Sequence, residues 1–368
     1  MACKSRYLLF KIKKVLKLQK SVIILGEFPP NTYTGISMVN QSVFEILTKS
    51  GFLVQKVDES VWQLGGISKT VRYLRNYAEL IRKLRRKNID VFYTNFPLSI
   101  LGLMRLLFVS CFIKFKSSRI KIIAHVHRGD VMKFYGTSRF NALLFRLGVR
   151  RCSKIVVLSN KYKNEIEGLK LNANIVVLSN TSPFEKEALQ IGNIYRREFL
   201  CISNFIETKG IEDLVNVFAS DEFSNYNLTI TGKIYEHSFF YKIKNKATKN
   251  IKFVIEPNRE LIQTLLGDSD CFIMPSWNEG FPIVILEAMS VGLPIIATNV
   301  GSISEMLGED YPFLVPPKNC AKIAEALINF NNYIDKKQLS VQLKNRYLEK
   351  FSNKLFEEGV VKLFSVNS

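Results

Sequence analysis

The stretch from Asp270 to Leu307 constrains the fold of this chain more than any other part of it. It begins with a short apolar run that ends at Pro275, continues through a polar loop and a helix-forming segment, and ends with a second apolar run, PIIATNV. Two short apolar runs joined by a helix are typical of a parallel β-strand, α-helix, β-strand unit. Ligands of parallel sheets bind beyond the carboxyl ends of the strands. The sequence therefore predicts a binding site in the loop after Pro275.

Two glutamates occupy this predicted site. Glu279 lies in the loop that leaves the first strand, and Glu287 lies in the helix that follows, so both carboxylates can face one cleft. The start of that helix offers backbone N–H groups without intrahelical acceptors, together with the positive end of the helix dipole. Both features favour an anionic phosphate group as the ligand.

The same stretch contains the pattern P-S-x-x-E-G-F-P-x-V-x-L-E-A-M-x-x-G-x-P-I-I-A-T-x-x-G, in which Glu279 and Glu287 form an E-x(7)-E pair. The pattern resembles the donor-site signature of retaining nucleotide-sugar glycosyltransferases of the GT-B type, family 4, also called group 1 glycosyltransferases. Weaker correspondences extend over most of the chain. The alternative is that the two glutamates are a solvated loop residue and an ordinary helix carboxylate.

The resemblance implies an α/β fold of the GT-B type. This fold has two Rossmann-like doubly wound domains that face a cleft, and a C-terminal helix that crosses back to the first domain. The length supports two domains, because 368 residues exceed the usual size of one hydrophobic core. We expect an N-terminal acceptor-side domain at 1–185, a C-terminal nucleotide-sugar-binding domain at 186–345, and the returning helix at 346–368.

A lysine is the expected partner of the donor phosphates. Transfer of a sugar from a nucleoside diphosphate leaves negative charge on the departing phosphate, so the site needs fixed donors there. The segment CISNFIETKGI is similar to the family segment G-R-L-x-x-x-K-G-I, which implies that Lys209 grips the diphosphate. Asn204 stands where the family commonly has arginine, and neutral hydrogen bonds are weaker than charged ones. Weaker donor binding, compensation by another basic residue and an altered donor are all compatible with this departure.

The resemblance also implies roles for the residues around the E-x(7)-E pair. Glu287 accepts hydrogen bonds from the nucleotide ribose, and Glu279 holds hydroxyl groups of the sugar. The remaining donor-binding residues act through their backbone; they are Gly35, Gly280, Phe281 and Ile283. Gly35 lies in the loop after the first strand of the chain, and the alternative for it is an ordinary turn.

A histidine follows an apolar run in the segment AHVHRGD. Similar enzymes carry an H-G-x-D or H-D element at this place, and the order of residues 127–130 favours His127 over His125 as the counterpart. The implied role is a hydrogen bond to the transferred sugar near the reacting carbon. The alternative is a core histidine without a catalytic role.

A double displacement needs a carboxylate beneath the reacting carbon. The sequence does not single one out, since Asp130 and Glu279 are both candidates. The resemblance implies same-face attack instead, in which the departing phosphate helps to deprotonate the acceptor. No D-x-D motif stands beside the donor loop. We therefore expect catalysis without a metal, with the nucleotide sugar as co-substrate and no further cofactor.

The positive charge of the chain is concentrated in its first half. Residues 1–180 contain 32 Lys and Arg against 9 Asp and Glu, whereas residues 181–368 contain 20 against 23. A basic face with apolar side chains fits membrane head groups or a lipid diphosphate acceptor. Nucleic acid attracts such a face as well, but no nucleic-acid-binding motif is present and we expect no such partner. A solvated face without a partner is the third possibility.

The run from Pro97 to Phe115 is almost wholly apolar, but it carries Arg105 near its middle and is marginal in length for a membrane span. We expect a helix in, or at the edge of, a soluble domain, with contact to one membrane leaflet left open. The six cysteines lack C-x-x-C spacing, which fits reduced thiols in the cytosol. The expected location is cytoplasmic, with peripheral association to the inner membrane.

The resemblance implies a bacterial retaining glycosyltransferase of capsule or lipopolysaccharide biosynthesis. It moves a sugar from a nucleotide diphosphate sugar to a lipid-linked or surface polysaccharide acceptor. The alternative is a non-catalytic membrane-surface scaffold protein with the same fold.

Overall fold

The chain folds into two compact units in a computed structural model, which describes residues 20–60, 66–86, 88–184 and 195–365. Residues 1–178 and 357–368 form the N-terminal unit, and residues 179–356 form the C-terminal unit. The predicted domains divide at 185 and 345 instead. Within the C-terminal unit, the Thr181 hydroxyl lies 3.1 Å from that of Tyr347 and donates to Asn353 Oδ1 at 2.9 Å.

The N-terminal unit is built on a sheet of six parallel strands in the order β2-β1-β3-β4-β5-β6. All six residues of β1 are buried. Strands covered on both faces are continuously apolar, which explains why the apolar runs of this half carry no alternation. The strands are β1 (Ser21–Gly26), β2 (Leu53–Asp58), β3 (Val91–Asn95), β4 (Lys121–His125), β5 (Lys154–Val157) and β6 (Ile175–Val177).

Helices connect these strands, and several begin at a hydroxyl side chain that satisfies a backbone donor of the first turn. Thr34 accepts a hydrogen bond from the backbone of Ser37, and Ser138 accepts one from the backbone of Asn141. The helices are α1 (Gly35–Lys49), α2 (Gly66–Arg86), α3 (Ile100–Lys116), α4 (Val131–Thr137), α5 (Arg139–Arg151) and α6 (Asn160–Gly168).

The C-terminal unit repeats this plan. Its sheet also has six parallel strands, in the order β12-β11-β10-β7-β8-β9. The strands are β7 (Glu198–Ile202), β8 (Asn227–Gly232), β9 (Ile251–Ile255), β10 (Cys271–Met274), β11 (Ile295–Thr298) and β12 (Leu314–Val315). The helices are α7 (Ile211–Phe218), α8 (His237–Lys246), α9 (Arg259–Asp268), α10 (Ile283–Val291), α11 (Ile303–Leu307), α12 (Cys320–Asn332) and α13 (Lys336–Lys350).

The last helix, α14 (Asn353–Ser365), ends within the N-terminal unit. The Phe364 ring lies 5.6 Å from the Tyr93 ring of β3, between ring centroids. Lys20 Nζ donates to the carbonyl of Phe364 at 3.1 Å, and Lys154 Nζ donates to that of Leu363 at 3.3 Å. The C-terminal end of α14 therefore packs in the unit that contains β1 and β3.

The apolar run that contains Arg105 forms α3. Leu103 and Leu106 on this helix are buried in the core of the N-terminal unit. None of the described helices is both long and apolar enough to cross a membrane.

Candidate active site

The loop after β10 holds an ion pair between two of the predicted donor-site residues. Lys209 Nζ lies 2.7 Å from Glu279 Oε1, and both side chains are largely buried. Lys209 ends a 3₁₀ turn (Glu207–Lys209) beyond β7, and Glu279 lies in the loop beyond β10. Strands β7 and β10 are neighbours in the sheet. Because the carboxyl ends of parallel strands meet at one edge of a sheet, the two loops come together.

Gly210 explains why these two loops fit so closely. Its φ is +66°, a conformation that favours glycine, and a Cβ at this position would lie 2.1 Å from the carbonyl oxygen of Pro275. The backbone N–H of Trp277 donates to the carbonyl of Thr208 at 2.9 Å. The indole Nε1 of Trp277 also donates to Asp213 Oδ2 at 2.7 Å. The turn that carries Lys209 is therefore held directly against the loop that carries Glu279.

A second glycine holds the other side of the Glu279 loop. Gly301 has a φ of +60°, and a Cβ there would lie 2.3 Å from the carbonyl oxygen of Glu279. The neighbouring Ser302 N–H donates to the carbonyl of Gly280 at 3.1 Å. Both glycines belong to the sequence motifs, and their role in close backbone approach becomes visible in the structure.

Helix α10 begins directly after this loop. Pro282 precedes its first residue, Ile283. The N–H of Ile285 donates to the carbonyl of Pro282 at 3.2 Å, whereas the N–H groups of Ile283 and Val284 have no acceptor within the helix. The Phe281 side chain is buried, with its ring 5.9 Å from that of Phe351 between centroids. The Phe281 ring thus anchors the loop to the core of the C-terminal unit, and its predicted donor contact rests on its backbone.

Glu287 lies inside α10 and is buried. Burial raises the pKa of its carboxyl from 4.5 to about 7, and the charge of Arg259 opposes this rise. Its carboxylate is therefore in balance with the neutral acid near pH 7. A buried carboxylate in this state gains from a ligand that donates hydrogen bonds, as vicinal hydroxyl groups do.

Asn204, the residue at the predicted arginine position, is exposed beyond β7. Its side-chain oxygen accepts a hydrogen bond of 3.2 Å from the backbone N–H of Lys233. The amide thereby links the loops after β7 and β8. It adds no positive charge beside Lys209.

Two histidines of the N-terminal unit lie side by side, one fully buried and the other partly buried. His125 ends β4 and is fully buried, with its Nδ1 2.7 Å from the hydroxyl of Tyr93. The ring of His127 lies beside that of His125, with centroids 4.0 Å apart and the ring planes tilted by 36°. Among the described residues, neither ring nitrogen of His127 finds a hydrogen-bond partner. Burial lowers the pKa of His127 to about 3, so the ring is neutral at physiological pH.

Asp130, one of the two candidate nucleophiles, follows this cluster. Arg128 holds its carboxylate in a two-point ion pair, with Nε to Oδ1 at 2.9 Å. Gly35, the predicted glycine of the first loop, is the first residue of α1 and is exposed.

The sequence predicts Lys209, Glu279 and Glu287 as site residues, but it does not predict the residues that contact them or hold their loops. Trp277 and Asp213 are 64 positions apart, and Arg259 lies in a different helix from Glu287. Trp277 stands at an x position of the P-S-x-x-E-G pattern, so the pattern does not predict a role for it.

Comparison with known proteins gives a consistent result for both units. Residues 190–345 match the family model described as "Glycosyl transferases group 1". Residues 53–181 match the model described as "Glycosyltransferase Family 4". The first matched region lies within the C-terminal unit, and the second lies in the N-terminal unit except for its last three residues.

Individual relatives are distant. The chain is 25% identical over 301 residues to the capsular polysaccharide biosynthesis glycosyltransferase CapH of Staphylococcus aureus, covering 74% of this chain and 80% of the relative. It is 25% identical over 243 residues to N-acetyl-alpha-D-glucosaminyl L-malate synthase of Bacillus anthracis, covering 62% of each. In four of the curated relatives that it matches, the aligned part spans between 56% and 62% of the relative's length.

Solved structures confirm the predicted fold. Sucrose-phosphate synthase from Thermosynechococcus elongatus superposes with a TM-score of 0.75 at 14% identity, covering 94% of this chain and 98% of that one. Trehalose-6-phosphate from E. coli bound with UDP-2-fluoro glucose, as that structure is described, gives a TM-score of 0.69 at 10% identity, covering 94% and 99%. The two parallel six-stranded sheets with flanking helices are those of the GT-B fold.

Proposed function

The chain belongs to the group 1 glycosyltransferases, and from this premise we propose that it transfers a sugar from a nucleoside diphosphate sugar to a lipid-linked or surface polysaccharide. The observation that carries the proposal is the ion pair of 2.7 Å between Lys209 and Glu279 beside the N-terminus of α10. It holds a cation and a hydroxyl-binding carboxylate together at the carboxyl edge of the sheet.

Lys209 and Glu279 exchange partners when the donor binds. The ammonium group of Lys209 moves to the diphosphate, where a charged hydrogen bond contributes about 1.5–3 kcal/mol. The carboxylate of Glu279 is then free to accept hydrogen bonds from sugar hydroxyls. The first-turn N–H groups of α10 add donors for the charge that develops on the departing phosphate. This arrangement supplies charge stabilisation from the chain itself, and we include catalysis without a metal in the proposal.

Glu287 takes the nucleotide ribose. Its buried carboxylate has a raised pKa, and two ribose hydroxyls would satisfy it without a counter-charge. The neutral ring of His127 forms a hydrogen bond with a hydroxyl of the transferred sugar. Its ring nitrogens have no hydrogen-bond partner among the described residues. Gly35 stays a predicted contact of the donor phosphate or acceptor.

Retention by same-face attack is the mechanism that we include in the proposal. A double displacement needs a free carboxylate beneath the reacting carbon. Asp130 is held by Arg128 in an ion pair, and Glu279, once Lys209 has moved to the diphosphate, is occupied by hydrogen bonds from the sugar hydroxyls. These pairings support attack by the acceptor on the face that the phosphate leaves, with the phosphate oxygen taking the proton of the acceptor hydroxyl.

The acceptor and the location follow from relatives and from charge. CapH is named for capsular polysaccharide biosynthesis, which supports a polysaccharide or lipid-linked acceptor here. The excess of cations in residues 1–180 supports peripheral association with an anionic membrane surface on the cytoplasmic side. Lipopolysaccharide and capsule are the bacterial products that fit this setting.

A panel of UDP-, GDP- and other activated sugars tests the proposal by thermal shift. A donor at 100 times its Kd stabilises the protein by about 2.7 kcal/mol, so its nucleotide and sugar are found in one experiment. Transfer is then followed with that donor, with and without EDTA, and NMR of the product gives its anomeric configuration. We expect retention and no effect of EDTA, whereas an inverted product would contradict the mechanism.

A non-catalytic scaffold is the second candidate, and Asn204 at the usual arginine position favours it. The two are separated by Glu279→Gln in the transfer assay. An enzyme loses turnover, whereas a scaffold has none to lose. Glu325→Gln is the matched control, because Glu325 forms an exposed ion pair of 2.6 Å with Lys322, and its loss leaves turnover unchanged.

A further inference from the structure

Helix α3 presents an apolar stripe to solvent. Its exposed apolar side chains recur at spacings of three and four residues, which places them on one side of the helix. Phe108 is 69% exposed, Leu101 is 81% exposed and Phe115 is 93% exposed. The full stripe consists of Leu101, Met104, Phe108, Cys111 and Phe115. Exposed apolar side chains that occur singly need no explanation, but a continuous row of them indicates a partner.

Helix α5 extends this surface. Phe140, Leu143 and Leu147 are exposed at spacings of three and four residues, while the opposite side of α5 buries Leu144 and Phe145 in the same core cluster as Leu103 of α3. The two helices are in close contact, since a Cβ on Gly148 would lie 3.2 Å from Leu103 Cδ2. We call the two stripes together the α3–α5 face.

The segment that forms this face is strongly basic. Residues 97–153 contain eleven Lys and Arg and a single acidic residue, Asp130. Asp130 is already paired with Arg128. Exposed cations lie at the end of α3 and along α5; they are Lys116, Arg119, Arg139, Arg146, Arg150 and Arg151. A second copy of the chain would therefore bring like charges together, whereas an anionic partner would neutralise them.

We infer that the α3–α5 face docks onto an anionic lipid bilayer and inserts its apolar side chains between the head groups. Cationic residues beside exposed Phe and Leu on helices that lie flat are the combination that binds such interfaces. Head-group phosphates meet the arginines, and the acyl boundary covers the two stripes. This inference rests on the membrane placement proposed above and names the surface that performs it, and it does not depend on which sugar is transferred.

Vesicle sedimentation tests the inference with the full chain. Phosphatidylcholine vesicles with and without phosphatidylglycerol are compared for the wild type and for the double variant Phe108→Glu, Phe115→Glu. We expect binding to the anionic vesicles only, and at least about a tenfold weaker binding for the double variant, since each aromatic side chain loses its burial in lipid. Ile334→Glu is the matched control, because Ile334 of the C-terminal unit is also 93% exposed. It should bind as the wild type does.

A dye on Cys111, which is exposed within the α3 stripe, separates insertion from adsorption by charge. In a variant with serine at the other accessible cysteines, an environment-sensitive dye at Cys111 should shift to the blue with anionic vesicles and be quenched by lipids brominated on their acyl chains. The same dye at Ile334→Cys should do neither. Unchanged binding of the double variant, absence of quenching at Cys111, or self-association of the wild type that the double variant abolishes would each overturn the inference.

Donor binding by thermal shift on the same variants keeps the two proposals distinguishable. If the protein binds vesicles but no donor stabilises it, the inference about the α3–α5 face stands and the transferase function is rejected. If a donor binds but the protein does not insert into vesicles, the transferase function stands and the inference about the α3–α5 face is rejected.

Discussion

Trp277 Nε1 donates a hydrogen bond of 2.7 Å to Asp213 Oδ2, across 64 residues of sequence. Asp213 lies in the first turn of α7, directly after the turn that carries Lys209. The Lys318 ammonium group lies 4.5 Å from the centroid of the Trp277 ring. The loop beyond β10 is thereby attached to the loop beyond β7 at a point next to the Lys209–Glu279 pair.

Trp277→Phe should weaken donor binding without removing a group that contacts the donor. Phenylalanine keeps an aromatic ring but leaves Asp213 without its indole donor, at a cost of about 1.5–3 kcal/mol for a charge-assisted bond. The released loops let Lys209 and Glu279 drift apart. Calorimetry should show a higher donor Kd. Asp213→Asn keeps an acceptor oxygen for the indole and should lose clearly less affinity; equal losses in both variants would argue against this role.

Gly210→Ala should disrupt the same pair through the backbone. The φ of +66° costs an L-residue about 1–2 kcal/mol, and the new Cβ would lie 2.1 Å from the Pro275 carbonyl oxygen, so one loop must move. We expect a lower melting temperature and loss of donor-induced thermal shift. Gly136→Ala is the control, because a Cβ on this α4 residue meets no atom within 4 Å. A Gly210 variant that still binds the donor as the wild type does would show that the close approach is dispensable.

Much of this site could be predicted from local pattern. The buried strands were visible as apolar runs, and the positions of Glu279 and Glu287 followed from a motif whose spacing fixes loop and helix. The pairing of Lys209 with Glu279 spans 70 residues, and local periodicity carries no information on which side chains meet at that separation. The α3 stripe was hidden for another reason: nearly every position of Pro97–Phe115 is apolar, so the exposed side has the same composition as the buried one.

Asn204→Arg should strengthen donor binding. The position lies beyond β7 and is exposed, so a guanidinium group can be accommodated, and a charged donor to phosphate contributes more than a neutral one. The variant loses the 3.2 Å bond from Lys233 N to the asparagine oxygen, which reduces the gain. We expect a Kd for the nucleoside diphosphate about tenfold lower at low salt. Asn204→Lys should gain less, because lysine cannot bind phosphate in a bidentate manner. An unchanged Kd would indicate that another cation already compensates.

Glu287→Gln should lower donor affinity and raise the stability of the fold, and the gain in stability should depend on pH. The folded-state pKa of Glu287 is raised from 4.5 to about 7. Below pH 4.5 both folded and unfolded states hold the proton and no penalty exists. As the pH rises from 4.5 to 7 the unfolded state ionises first, so stability falls, and the full penalty of about 3 kcal/mol persists above pH 7.

The amide variant removes this penalty. Its melting temperature should therefore exceed that of the wild type at pH 8 by more than at pH 5, while its donor Kd rises because one ribose acceptor becomes a donor. In the wild type, donor affinity should increase as the pH passes through 7. A pH-independent difference in melting temperature would mean that Glu287 is not the group that titrates.

Arg105 and Glu59 provide the last test, which concerns the apolar run of α3. Arg105 Nη1 lies 3.1 Å from Glu59 Oε2, and the Glu59 side chain is buried whereas Arg105 is about one-third exposed. Burial raises the pKa of Glu59, and the charge of Arg105 opposes the rise. Arg105, within this apolar helix, therefore provides the counter-charge for a buried carboxylate of the same unit.

Arg105→Met should lower the melting temperature, because it leaves the Glu59 carboxylate buried without a counter-charge. Fully buried pairs lose about 3–5 kcal/mol in this way, and the partial exposure of Arg105 makes a smaller loss the expectation. Without the arginine the pKa of Glu59 rises further, so the unfolded state ionises at a lower pH than the folded state does. The loss of stability should consequently be small near pH 5 and grow toward pH 8. Adding Glu59→Gln to the same chain should recover most of the loss at pH 8; a loss that is equal at both pH values, or that the second substitution does not repair, would show that Arg105 acts by packing and not by charge.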